Sequence, residues 1–144
     1  MKNHEECGML IKQIHDGLEK NANNALREDN LTMTQIGTLI ELNGEPQHEL
    51  TLKELEKRMH VAQPTAAGIV SRLEDKGLVE GYISKEDKRI KIVHLTESGA
   101  KSCEQADIKM HQAEKQLLEG FSKAEKEAFY DYLERVLNNI KEKP

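Results

Sequence analysis

The side chains best equipped to read nucleic acid fall in the middle of the chain. Gln63, Pro64, Thr65, Gly68 and Arg72 lie at helical spacing within the run QPTAAGIVSRLEDKG, and Lys85, Lys88, Arg89 and Lys91 follow. A glutamine amide can pair with N6 and N7 of adenine, and a threonine offers its hydroxyl to a base or phosphate, or its methyl to a thymine. An arginine two turns further along suits a phosphate. The alternative, catalysis, has no footing. There is no phosphate loop, no nucleophile elbow, no zinc-protease helix and no paired-cysteine metal motif. The many carboxylates belong to amphipathic surfaces and read as solvated faces, so an enzyme is not expected.

These residues need elements to present them. Gln63 to Gly77 reads as a helix: Pro64 suits a first turn, Ala66, Ile69, Val70 and Leu73 form one face, and Gly77 is a left-handed stop. Before it, Thr51-x-x-Glu54 is a capping box that opens a helix with Leu52, Leu55 and Met59 on its inner side. His60-Val61-Ala62 is then a tight turn. Two short helices joined so closely make a helix-turn-helix, whose second helix offers its N-terminal residues to base edges in the major groove, a channel about 12 Å wide. Gln63, Pro64, Thr65 and, one turn on, Gly68 occupy those places. Neither Ala62 nor Gln63 is a capping residue, which leaves the first N–H groups of this helix free for a phosphate oxygen. After Gly77, Leu78 to Ser84 and Ile90 to Leu95 have strand composition, and Lys85-Glu86-Asp87-Lys88-Arg89 is short enough for the tip of a hairpin.

The segment Asp87-Lys88-Arg89-Ile90-Lys91-Ile92-Val93-His94-Leu95-Thr96 fits the pattern D-x-R-x-x-x-x-x-L-T, which resembles the wing signature of the MarR family, the winged helix-turn-helix regulators of bacteria. The preceding Leu73-Glu74-Asp75-Lys76-Gly77-Leu78-Val79 resembles the end of that family's recognition helix. The likeness is specific over some thirty-five residues and extends in pattern over nearly the whole chain. It implies a mainly α fold with a small two- to three-stranded β-wing. An N-terminal dimerisation helix would occupy residues 1–30, the winged helix-turn-helix 31–96 and C-terminal dimerisation helices 97–144. It further implies a ligand-responsive repressor that binds a palindromic double-stranded DNA operator as a homodimer, released by a small-molecule effector. No residue marks the effector site. The arginine of the wing motif reaches the minor groove in that family; carried over, this role falls to Arg89, beside Lys88, with Asp87 orienting it. Two departures stand out. Gly68 sits where relatives often carry a long polar side chain, with close approach to DNA or to a neighbour as a reason. Ala62 stands where a capping serine is common.

The rest of the chain fits that frame. Thr32-x-x-Gln35 opens a helix with Ile36, Leu39 and Ile40 inward, stopped by Asn43-Gly44 and Pro46. From about Asn3 to Glu28 a single apolar stripe of Leu10, Ile14, Leu18, Ala22 and Ala25 demands a partner. Its own chain and a second subunit both remain open as that partner on spacing alone. Thr96 caps a helix with Ala100, Cys103, Ala106, Met110, Ala113 and Leu117 in line, Gly120 interrupts it, and Ser122-x-x-Glu125 caps a last helix lined by Phe129, Leu133, Val136, Leu137 and Ile140.

Composition agrees. The 144 residues are 33% charged and only 3% aromatic, which suits an aliphatic helical protein. The net charge of −5 is unevenly spread: residues 52–96 alone are positive, with nine bases against seven acids. A local basic surface, not a basic protein, is what DNA requires. With no signal peptide and no apolar run of membrane-spanning length, the chain reads as cytoplasmic, with no membrane partner. No cofactor is expected. Three sensor or interaction readings compete on the same fold. His4, His15, His48, His60, His94 and His111 show no ligand-like spacing for a metal. Cys7 lies near the first helix, where thiol sensing occurs in relatives, but Glu5 and Glu6 disfavour its thiolate; Cys103 sits on an apolar stripe. A winged helix used only to bind protein would fit the acidic flanks.

Overall fold

The computed structural model describes residues 6–141. Its elements run α1 (Cys7–Glu28), α2 (Met33–Asn43), β1 (Glu49–Thr51), α3 (Leu52–Met59), α4 (Gln63–Asp75), β2 (Val79–Ile83), β3 (Lys91–Leu95), α5 (Glu97–Leu117) and α6 (Lys123–Lys141). The chain divides into two compact units, residues 1–109 and 110–144, so α5 begins in the first and ends in the second. This is the mainly α architecture with a small wing that the sequence predicts. Asn3, where the first helix is expected to begin, lies outside the described residues, as do His4 and Glu5. No helix among the described residues is long and apolar enough to cross a membrane.

Helix starts follow the sequence closely, because they are local chemistry. Thr32 and Gln35, and Thr51 and Glu54, form reciprocal capping boxes. Thr96 Oγ1 accepts the N–H of Gly99 at 3.1 Å, and Ser122 and Glu125 satisfy each other's N–H in the second unit. Each box ties down first-turn donors that helical geometry leaves over. Hydrogen bonding to Thr51 holds the Glu54 carboxyl below its ordinary value, and Ser122 does the same for Glu125.

The core of the first unit gathers one face from each element. Leu39, Leu42, Leu55, Val70, Leu73, Val79 and Val93 are almost wholly buried, each burial stabilising by roughly 1.5–3 kcal/mol for an aliphatic side chain. The three strands form one antiparallel sheet in the order β1-β3-β2. In its register Leu50 faces Val93 and Val79 faces Leu95, which puts these four on the core face.

The inner face of α2 is not the expected one. Ile40 is 48% exposed, and Leu42 is buried in its stead. The buried stripe runs Gln35, Ile36, Thr38, Leu39, Leu42. Thr38 can sit inside because its hydroxyl donates to the carbonyl of Thr34 at 2.9 Å and lies 3.0 Å from Met59 Sδ, so its polar group goes under satisfied.

The first-helix stripe stands open within the chain: Leu10, Ile14 and Leu18 are 58%, 50% and 41% exposed, and only Leu26 is buried. In the second unit Gly120 takes φ +87° and ends the helical run before Ser122. Phe121 and Phe129 lie with centroids 5.9 Å apart, while Leu133, Val136, Leu137 and Ile140 remain exposed.

Candidate nucleic-acid interface

The turn between α3 and α4 explains how the second helix is launched. His60 adopts a left-handed conformation, φ 55° and ψ 44°, and the Val61 N–H reaches back to the Glu56 carbonyl at 3.1 Å. That conformation, uncommon outside glycine and enriched in histidine and asparagine, swings the chain into Ala62. Ala66, Ile69, Val70 and Leu73 of α4 are buried, so the helix is seated by one face and the opposite one is offered outward. Gln63, Pro64, Thr65 and Arg72 are all exposed, and Gly68 is half-buried.

No side chain caps the start of α4; Ala62 has extended backbone and a proline follows in the first turn. Pro64 has no N–H to satisfy, so the Gln63 and Thr65 amides are the uncapped donors at the positive end of the helix dipole. Around Gly68 no heavy atom lies within 4 Å of where a Cβ would project. Packing in its own chain is therefore not why a glycine stands there.

The hairpin between β2 and β3 is knitted by two side chains. Ser84 Oγ accepts the N–H groups of Glu86 and Asp87 at 3.3 and 3.4 Å, and Ser84 N–H donates to the Ile90 carbonyl at 2.9 Å. Asp87 accepts three bonds from one residue: Arg89 N–H and Nε at 3.0 and 3.1 Å through Oδ1, and Nη2 at 3.2 Å through Oδ2. The Arg89 guanidinium, then its backbone N–H, hold the Asp87 carboxyl below the usual value. Arg89 nonetheless remains 90% exposed. A guanidinium has five N–H donors; two are committed to Asp87 and three point elsewhere. The arginine is thus aimed, not consumed. Ser84 had no signal beyond its place in the hairpin.

The basic charge is smaller than its count. Lys91 lies 3.1 Å from Glu74 of α4, and the pair crosses so close over Gly81 that a Cβ there would meet Lys91 Cε at 2.6 Å. Lys91, expected from its position in the sequence to add positive charge to the wing, instead braces the helix against the sheet and is neutralised by Glu74. Arg58 is likewise spent on Glu45 and Glu41 of the α2 region, at 2.6 and 3.4 Å. Lys53 and Lys57 of α3, with Arg72, Lys85, Lys88 and the outer edge of Arg89, supply the accessible cation surface.

Elsewhere the candidates for sensing are sparse. Cys7 is exposed and Cys103 buried, and burial pushes the Cys103 thiol up, away from the reactive thiolate. Among the described residues one trio of metal-ligating types comes together, His15, Asp16 and Glu19 on the exposed side of α1. Asp16 there is already paired with Lys12 at 2.9 Å.

Comparison with known proteins places this geometry. The sequence profile of the MarR family matches residues 31–91, from the approach to α2 through to the start of β3. The HTH-type transcriptional regulator YwoH of Bacillus subtilis is 35% identical over 123 residues, 83% of this chain and 88% of its own. Among solved structures, MepR, a transcription regulator of the Staphylococcus aureus multidrug efflux pump MepA, matches with a TM-score of 0.84 at 25% identity, over 96% of this chain and 99% of that one. An S. aureus MepR–DNA complex matches with a TM-score of 0.69 at 27% identity, covering 92% and 97%.

Proposed function

The chain belongs to the MarR family, and from that premise we propose that it regulates transcription by gripping double-stranded operator DNA as a homodimer. It is not an enzyme. The observation that carries the reading is the pairing of an outward, uncapped α4 start with a wing arginine already aimed by Asp87. Gln63, Pro64, Thr65 and Gly68 enter the major groove, with Gln63 and Thr65 at base edges. Arg72 lies on a phosphate. Lys88 and Arg89 follow the wing into the adjacent minor groove, where narrow A·T-rich stretches concentrate negative potential. The relative found in complex with DNA, MepR, supports this use of the fold.

The second subunit is called for by the apolar stripe of α1, open at Leu10, Ile14 and Leu18, and by Leu133, Val136, Leu137 and Ile140 of α6. Covering these by a twin removes apolar surface that water disfavours. Residues 1–30 and 97–144 are the dimerising parts and 31–96 the reading part. A two-fold dimer presents two recognition helices about 34 Å apart, one turn of DNA, and so reads a palindrome. Repression in the cytoplasm ends when a small-molecule effector binds more tightly to a subunit arrangement that misfits the operator; only such differential affinity can shift the population.

Selection of bound sites from random duplexes tests the reading directly. A palindrome with half-sites one turn apart, bound with an affinity that falls steeply as salt rises, is the expected result. Failure to enrich any sequence, or binding indifferent to salt, would overturn it.

A further inference from the structure

The C-terminus of α1 is held by two lysines from distant parts of the chain. α1 closes in a Schellman motif: Asn30, left-handed at φ 57°, donates to the Arg27 carbonyl at 3.0 Å, and Leu31 N–H returns to the Leu26 carbonyl at 2.9 Å. The left-handed turn presents the Asn30 carbonyl sideways, and Lys76 Nζ donates to it. The same ammonium donates to Gln35 Oε1 at 2.9 Å, an oxygen that already accepts the Thr32 N–H in the α2 capping box. Lys76 is the residue that caps the C-terminus of α4. From the other side Lys109 of α5 donates to Asp29 Oδ2 at 2.7 Å and to the Ala25 carbonyl at 3.4 Å. Two cations at the negative end of one helix dipole are electrostatically apt.

The consequence is mechanical. α1 carries the stripe that meets the twin subunit; α4 carries the groove-reading side chains. One ammonium group bridges the end of one to the end of the other. We infer that Lys76 is a positioning residue for operator spacing: with Lys109, it fixes the angle of the recognition helix to the dimer-forming helix and so sets which half-site separation the dimer accepts. This inference rests on the DNA-binding reading above. It assigns to Lys76 no contact with DNA, although its charge and its place at the end of α4 suggest one.

The full-length protein is titrated with its selected operator and with versions whose half-sites are one base pair closer or farther apart. Lys76→Met keeps the stem and removes the ammonium. It should weaken binding to the selected spacing by about tenfold, the effect of one charged hydrogen bond, and weaken the altered spacings less, so that the preference flattens. Lys76→Arg should restore the preference, and Lys109→Met should flatten it partly. The salt dependence should not move, whereas a lysine on a phosphate would lower its slope by about one. A spacing preference left intact in Lys76→Met, or a salt slope reduced by one, overturns the inference. Amide exchange without DNA separates this failure from failure of the functional reading. Lys76→Met should deprotect residues 29–35 alone, with recovery in Lys76→Arg; unchanged protection there refutes the joint even in a protein that binds no duplex.

Discussion

Two glycines inside helices should respond to the same substitution in opposite directions, because one faces open space and the other faces fixed backbone. Gly68 is in the interior of α4, and a Cβ there would meet nothing within 4 Å. Gly68→Ala therefore gains the helix propensity difference, about 1 kcal/mol, with no packing penalty. For a chain of this length that raises the melting temperature by roughly 2–4 °C, compared at one protomer concentration because the dimer makes it concentration-dependent. Gly99 lies in the first turn of α5, and a Cβ there would collide with the Leu78 carbonyl oxygen and with Leu95 Cδ1. The carbonyl cannot withdraw: it accepts the Thr96 N–H at 3.1 Å, and Thr96 Oγ1 donates to the neighbouring Gly77 carbonyl at 2.7 Å. Overpacking against fixed backbone costs about 1–3 kcal/mol or more, which exceeds the propensity gain, so Gly99→Ala should melt lower. The decisive quantity is operator affinity. If Gly68 lets the DNA come close, Gly68→Ala is more stable yet binds worse: a methyl forced into a filled contact loses about 1–3 kcal/mol, roughly 5- to 150-fold for each half-site. Calorimetry and a gel-shift titration on the same samples give both numbers. A variant that gains stability and keeps wild-type affinity would refute the assignment of Gly68 to the groove.

Asp87→Ala should weaken operator binding several-fold and relax preference at flanking A·T steps. It frees an arginine whose orientation must then be fixed on binding, and although it also removes a negative charge near phosphates, that gain is screened beyond about 8–10 Å at moderate salt. Tighter binding at physiological ionic strength would contradict the orienting role. Gln63→Ala should lose roughly 1–3 kcal/mol of discrimination at one base pair, and Arg72→Ala should weaken all sequences alike and lower the salt slope by about one; exchange of these two signatures in a titration series would reverse their assignments. A thiol reagent at pH 8 should leave Cys103 unmodified until denaturant is added, because the thiol is buried and its ionisation disfavoured; mass spectrometry showing native labelling at Cys103 would contradict its place in the core.

What the sequence disclosed, and what it hid, divides by the range of the interactions. The four caps at Thr32, Thr51, Thr96 and Ser122 were readable because donor and acceptor lie within three residues of each other. Gly77, at φ +73°, marked the end of α4 for the same reason, and so did the hairpin with its Asp87–Arg89 pair. The candidate recognition surface followed from these, since seating α4 by Ala66, Ile69, Val70 and Leu73 leaves Gln63, Thr65 and Arg72 outward. Features that depend on distant partners were opaque. Ile40 is as apolar as Leu42, and which of the two goes inside is decided by the elements packed on α2, which bury Leu42 and leave Ile40 48% exposed. β1 has three residues, too few for a pattern, and exists because β3 offers it an edge. Lys91 and Arg89 look alike in a charge count, yet one is neutralised by Glu74 while the other is merely steered by Asp87.

That last contrast bears on how a chain with a net charge of −5 can hold a polyanion. Each cation near the reading helix is either structural or displayed, and the partner decides which. Arg58 and Lys91 meet carboxylates on other elements and stiffen the domain; Lys76 meets carbonyl oxygens and ties α4 to α1. The exposed remainder is Lys53 and Lys57 of α3 with Arg72, Lys85, Lys88 and the outer edge of Arg89, and the uncapped amides of α4 add partial charge without adding to the count. The attraction such a surface exerts on DNA scales with the number of phosphates it neutralises. On the reading proposed above, fit adds to that attraction, through Gln63 and Thr65 at the bases and through both half-sites at once. A phosphate contact carries no sequence information, so adding a surface lysine to the wing should raise affinity for random duplex and for the operator by a similar factor and steepen the salt dependence of both by about one.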